Sequence, residues 1–460
     1  MTLLVKNGEI ITADNRYRAD ILAENGTITR IDRDIDAPAD AEVVDADGKY
    51  VFPGFIDPHT HIHLPFMGTF AKDDYTTGTR AALCGGTTTL IDFVIPGKDE
   101  EPFDALDTWR EQSEGNACSD YTYHMAVTRF DDEVEAQLRE IVDRGLTSFK
   151  VFLAYKGAFG IDDEELYRTL ELAEELGVTV CAHCENKEMV AALQDKLVDA
   201  GKTGPEWHEP SRPVEVEAEG TRHFCSMLEV TGAEGYVVHL SCEDALQEAV
   251  EAKMRGVDVH VETLIQHLLL DESYGQQEDF VEAAKYIMSP PLRAPENQET
   301  LWAGFENGLI DTLGSDHAPF DTDQKEMGRG DFRKLPNGIP SLEDRVRLFY
   351  THGVATGRVD LHQFVDVAST RPAQIFDLFP KKGTIQPGAD ADLVVFDPDY
   401  EGTITAEDHN MNVDYNPFEG MTVRGRCDAV TVRGNVQVRD GEFVGEEGIG
   451  QLLERPLEAE

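Results

Sequence analysis

Between residues 53 and 384 the chain alternates short apolar runs with amphipathic helical segments, and few folds accept that pattern. The runs are GFIDPHTH (54–61), TTTLIDFVI (87–95), YTYHMAV (121–127), SFKVFLAY (148–155), TVCAHCEN (179–186), GYVVHLSC (235–242), VDVHVETL (257–264) and IDTLGSD (310–316). Segments such as DDEELYRTLELAEELG (162–177) and CEDALQEAVEAKMRG (242–256) carry helical periodicity between them. Strands separated by helices pair in parallel, and eight such units predict an α/β fold, a (β/α)8 TIM-type barrel. Stretches 205–220 and 318–345 are rich in Pro and Gly and read as loops.

The two chain ends differ from this middle. LLVKNGEIITADN and ADILAENGTITRIDR each break at an Asn-Gly, a strong hairpin signal. DADLVVFDPD (390–399) and DAVTVRGNVQVRDGEFV (428–444) are also strand-like. We therefore expect residues 1–52 and 385–460 to pair into one small β-sandwich domain beside a 53–384 barrel.

Charge excludes several partners. The chain has 89 acidic and 40 basic residues, a net charge of −49. Nucleic acid and anionic membranes need positive patches, so neither is expected as a partner. The acid is spread along the whole chain, as on the acidic surfaces of proteins from salt-accumulating, halophilic microbes. No run approaches the roughly 18 apolar residues of a membrane span, and MTLLVKNGEIITADNR lacks signal-peptide order. Seven scattered cysteines fit reduced thiols, and the expected location is cytoplasmic.

Barrel active sites sit at the C-terminal ends of the strands. There the sequence places His59 and His61 on the first strand, Lys150 on the fourth, His183 on the fifth, His239 on the sixth and Asp316 on the eighth. Imidazole and carboxylate suit zinc or a similar divalent ion. A lone histidine is more often packing or surface, whereas the joint placement at successive strand ends points to a metal centre. Lys150 sits among apolar neighbours in SFKVF, where a buried ammonium is costly. Reaction with CO2 would turn it into a carbamate anion able to bridge two cations. A lysine that snorkels to the barrel mouth is the other reading, and the chemistry leaves both open.

The pieces GFIDPHTH, SFKVFLAYK, HCEN, VVHLSC, KYIMSPPLR, GSDHAPF, GRGDFRKLPNG and STRPAQIFDLFPKKGTIQPGADADLVVFDP run in order over nearly the whole chain. Together they resemble the cyclic amidohydrolases, and within them the dihydropyrimidinase/D-hydantoinase family. That resemblance implies a TIM-type barrel with a β-sandwich built from both ends. It also implies a binuclear site: His59, His61 and Asp316 on one ion, His183 and His239 on the other, and Lys150 as an N6-carboxylysine bridge. Zinc is the metal it suggests. Tyr155, Ser289 and Asn337 would surround the substrate amide. The implied reaction is hydrolytic ring opening of a 5,6-dihydropyrimidine or hydantoin to an N-carbamoyl amino acid. Metal-activated hydroxide would attack the ring carbonyl, Tyr155 would stabilise the oxyanion, and Asp316 would carry the proton to the leaving nitrogen. The family expectation is a homotetramer, with the 412–450 tail helping to join subunits.

Allantoinases and dihydroorotases share such a metal site. Dihydroorotases typically carry an arginine in the place of His63, and here His63 is followed by LPF, which resembles hydantoinases. Non-catalytic dihydropyrimidinase-like scaffolds keep the fold and lose metal ligands, whereas all six ligand positions are filled here. His63 departs from the acidic or amide residue usual in relatives and is not needed by the metals. CAHC (181–184) has no second Cys pair, so packing thiols are expected, with Cys181 placed below the site. His317 is expected to turn away from the metals. His124, His208, His223, His260, His267, His352, His362 and His409 read as structural or surface.

Overall fold

The computed structural model describes residues 2–455. Eight parallel strands form the barrel: β1 (Phe55–Thr60), β2 (Thr87–Val94), β3 (Asp120–Ala126), β4 (Ser148–Phe152), β5 (Thr179–His183), β6 (Gly235–Val237), β7 (Val259–Leu264) and β8 (Thr312–Gly314). Each hydrogen-bonds to its sequence neighbour, and most of their residues are buried, which is why they read as continuous apolar runs. The helices between them start and stop where their ends dictate. Asp162 and Glu165 form a capping box at the start of Asp163–Leu176, and Gly177 ends it in the left-handed region.

The seam between β8 and β1 closes at the C-terminal ends of the strands. The Asp316 N–H donates to the His59 carbonyl at 2.9 Å and the His61 N–H donates to the His317 carbonyl at 2.9 Å. Deeper in the seam, fully buried Arg345 donates to Leu313 O at 2.6 Å and to Ile56 O at 3.1 Å, and its Nε lies 3.3 Å from the Asp57 carboxylate. One guanidinium thus clamps the first strand to the last.

Two further sheets form the sandwich. One orders Thr27–Asp32, Asp20–Glu24, Thr2–Lys6 and Ala41–Asp45. In the other, Leu393–Thr403 from the C-terminal part lies between Thr422–Val432 and the N-terminal strand Tyr50–Pro53. Leu3, Val5, Ile10, Ile21, Leu393 and Val395 pack between the sheets. Asn25-Gly26 makes the expected hairpin, with φ of 52° and 88°. Asn7-Gly8 does not: Thr2–Lys6 and Glu9–Ile11 belong to different sheets, and the chain crosses between them there. Gly8 is required by crowding, since a Cβ would meet Val51 Cγ2 at 2.4 Å.

The 205–220 stretch is not all loop. Pro205–Trp207 and Glu209–Ser211 are single 3-10 turns, but Val214–Thr231 is an 18-residue helix that begins directly after Pro213. Proline there marks a helix start, and Gly220 lets the helix approach the Cys184 backbone, where a Cβ would meet the carbonyl oxygen at 2.5 Å. Near the chain's end, Leu453 N–H donates to Tyr121 O at 2.7 Å and Arg455 N–H donates to Gly145 O at 2.7 Å, so this segment lies against the barrel. Among the described residues no helix is long and apolar enough to cross a membrane, and the seven cysteines are free.

Candidate active site

His59, His61, Lys150, Tyr155, His183, His239, Ser289, Asp316 and Asn337 all line one cavity at the C-terminal mouth of the barrel. Every residue singled out for metal or substrate is therefore present at one place. Tyr155, His239 and Asp316 adopt left-handed backbone conformations, with φ of 56°, 41° and 48°. Non-glycine residues reach that region at a cost, and the turns just beyond the strand ends hold these side chains over the barrel axis.

The nitrogens of His59 and His61 and an Asp316 oxygen lie within 4.8 Å of one another. His59 Nε2 and His61 Nε2 are each 3.1 Å from Asp316 Oδ1. Glu262 on β7 fixes how His59 presents itself. Its carboxylate accepts from His59 Nδ1 at 2.7 Å, from the His239 N–H at 2.8 Å and from the Tyr236 hydroxyl at 2.9 Å. With Nδ1 donating to Glu262, the His59 Nε2 lone pair faces a carboxylate oxygen. Two acceptors at 3.1 Å need a proton or a cation between them. Burial opposes charge on His59, but Glu262 and Asp316 outweigh it and hold its pKa up at about 9. Burial likewise works against the Asp316 carboxylate, yet the two histidines hold it well below the ordinary range. Burial pushes His61 down to about 4. The donor set fits a divalent cation, with a carboxylate behind one histidine as such sites commonly have.

A second pair of nitrogens stands opposite. His239 Nε2 is 2.9 Å from His183 Nδ1. His183 Nε2 is 2.7 Å from Glu185, which is also paired with buried Arg212. Burial opposes the charge of Glu185, but Arg212 and His183 outweigh it and bring its pKa to about 2. Glu185 thus accepts the Nε2 proton, and His183 turns its Nδ1 lone pair toward His239. Lys150 Nζ lies over the rings of Phe93 and Phe152, at 4.7 and 5.2 Å, and makes no ion pair among the described residues. Burial lowers its pKa to about 8, against Cys181, Glu262 and Asp316, so more of it is neutral amine, the form that reacts with CO2, than in an exposed lysine.

The remaining wall carries Ser289, Asn337 and, beside them, His208. Asn337 Nδ2 donates to Ser289 Oγ at 3.0 Å, and Asn337 Oδ1 is buried without a partner. His208 Nε2 donates to Met288 O at 2.8 Å and lies 3.3 Å from Ser289 Oγ. Ser289 Oγ is thereby approached by two donors. Leu64, Phe66, Phe152 and Phe159 make the rest of the cavity apolar.

His63 lies outside this cavity. It takes φ of 53° and stacks on Phe70 with centroids 5.2 Å apart. Strict alternation ends at His61, so the third histidine does not share the face of the other two. His317 points outward, its Nε2 donating to Asp73 at 2.8 Å. Cys181 lies below the site, 3.8 Å from His124 Nδ1. Glu262, Glu185 and His208 escaped the sequence reading. Glu262 had a visible signal, an acidic residue inside an apolar barrel strand, the same oddity that marked Lys150.

A model of the amidohydrolase family matches residues 50–437. The D-hydantoinase of Geobacillus stearothermophilus is 50% identical over 457 residues, covering 99% of this chain and 97% of that protein. The crystal structure of a D-hydantoinase (dihydropyrimidinase) from Thermus sp. superposes with a TM-score of 0.98 at 60% identity, over 99% of each chain. That of dihydropyrimidinase from Brevibacillus agri NCHU1002 gives 0.98 at 45%, over the full length of both.

Proposed function

The chain belongs to the amidohydrolase family, and on that footing we propose that it opens 5,6-dihydropyrimidine or hydantoin rings to N-carbamoyl amino acids. It is an enzyme of cyclic amide hydrolysis that binds divalent metal. The observation that supports a cyclic amide substrate is the pair Ser289 and Asn337. A hydroxyl beside an unpartnered amide oxygen complements the C=O and N–H of a cyclic amide edge.

His59, His61 and Asp316 would hold one cation and His183 and His239 the other, with Lys150 as a carbamate between them. Zinc suits this ligand set. The cations would supply Lewis acidity and a lowered water pKa. The chain's own groups do the rest. Burial keeps the Tyr155 phenol protonated, ready to donate to the developing oxyanion. Asp316 stays ionised, takes the proton of the attacking water and passes it to the leaving ring nitrogen. Leu64, Phe66, Phe152 and Phe159 exclude bulk water. A cytoplasmic homotetramer belongs to the same proposal.

The test is a substrate panel of dihydrouracil, hydantoin, allantoin and dihydroorotate, with metal content measured on the same sample. Turnover of the first two is expected. Preference for allantoin or dihydroorotate would refute the ring assignment, and a protein that takes up no metal even with bicarbonate would refute the site.

A further inference from the structure

Lys325 has no part in the chemistry described above, yet its side chain is fully buried. No carboxylate pairs with it among the described residues. Its Nζ donates instead to three backbone carbonyls: Gly338 O at 2.7 Å, Pro336 O at 2.8 Å and Ile287 O at 3.3 Å. Three acceptors match the three N–H groups of an ammonium. These carbonyls come from two segments distant in sequence. Pro336 and Gly338 flank Asn337, and Ile287 lies two residues before Ser289. The Gly338 N–H adds a direct bond to Ile287 O at 2.9 Å. The adjoining Gln324 donates to Thr69 Oγ1 at 2.6 Å and Phe70 O at 2.8 Å, so the same short turn also anchors the hairpin that carries Phe66 into the cavity.

We propose that Lys325 is a positioning residue that locks the Ser289 and Asn337 segments at the spacing needed to bind a cyclic amide edge. Burying an ammonium is expensive, and only the three carbonyl dipoles offset that cost. A methionine would fill the space at less desolvation cost, but it would leave the Pro336 and Gly338 carbonyls unpaired and the two segments joined only by the Gly338 N–H bond to Ile287 O. Ser289 and Asn337 make one donor–acceptor pair only while they stay together. The effect should therefore fall on substrate binding and spare the metal ligands, all of which lie on other segments. The proposal rests on the substrate role given to Ser289 and Asn337.

The experiment compares kcat, KM for dihydrouracil and bound metal in the holoenzyme and in Lys325→Met, Lys325→Gln, Asn337→Ala and the Lys325→Met/Asn337→Ala double variant. In Lys325→Met, KM should rise at least about tenfold while kcat stays within about twofold and metal content is unchanged. Lys325→Gln keeps two donors and should give a smaller rise. The double variant should bind little worse than Asn337→Ala, because both changes disable one unit. A wild-type KM in Lys325→Met overturns the proposal, as do KM effects that multiply in the double variant. If Lys325→Met does not fold, Lys325→Gln decides, and a wild-type KM there overturns it. A wild-type KM in Asn337→Ala would instead remove the substrate role of Asn337, and the proposal with it.

Discussion

Replacing Glu262 by glutamine tests whether the histidines proposed to hold metal depend on the residue behind them. The Glu262 carboxylate is fully buried and collects three donors, from His59 Nδ1, the His239 N–H and the Tyr236 hydroxyl. Glutamine keeps the volume but offers one acceptor oxygen and an NH2 group. One Glu262 oxygen accepts from both His59 Nδ1 and the His239 N–H and the other from Tyr236, so an amide oxygen in the first place keeps both of its bonds and turns the NH2 to the Tyr236 hydroxyl. What is lost is charge: a neutral amide oxygen accepts the His59 Nδ1 proton more weakly than a carboxylate does, which leaves the His59 Nε2 proposed to ligate less basic. A buried hydrogen bond to a charged group contributes about 1.5–3 kcal/mol against about 0.5–1.5 for a neutral one, so the change should weaken the cation by about tenfold. The assay is a chelator titration of the loaded protein, following bound metal by elemental analysis and fold by circular dichroism. Activity should return in excess metal, because the ligands themselves remain. An unchanged chelator midpoint in a folded variant would refute the reasoning.

The histidine triplet gives a paired prediction. His61→Gln should lose one of two bound metals, whereas His63→Gln should keep both, since His63 stacks on Phe70 outside the cavity. Metal-to-protein ratios decide it, and equal losses would sink the distinction. Glu343 gives a pH prediction. It accepts from Asn410 N at 2.6 Å and Nδ2 at 3.0 Å. Burial and Asp344 push its pKa up to about 7, against Arg347 and Asn410, from an ordinary value of 4.5. The folded state thus holds a proton that the unfolded chain has released. Stability from this group is full below the unfolded value and is lost as pH rises through about 7. Glu343→Gln should therefore gain stability relative to the parent between these limits. Urea unfolding at both ends of that window would show it, and parallel pH profiles would exclude the effect.

Much of the site could be read before any coordinates, because its parts are local. A barrel strand buried on both faces must be apolar, so a polar residue at its end stands out, and His59, Lys150, His183 and Asp316 did. What escaped depends on neighbours far along the chain. Asn7-Gly8 has hairpin chemistry, but the partners of its two flanking strands lie in different sheets. Pro213 looked like a loop residue until the helix after it packed against Cys184. His63 repeats the spacing of its neighbours, yet the strand ends before it, and the left-handed turn sends its ring to Phe70. Glu262 meets His59 across 203 positions, and Lys325 meets segments on either side of it. Strand–helix alternation and the residue types at strand ends are properties of the chain, set by periodicity and burial. Tautomers, charge states and the spacing of Ser289 from Asn337 come from groups brought together by closure of the barrel, where low dielectric and converging dipoles act through space.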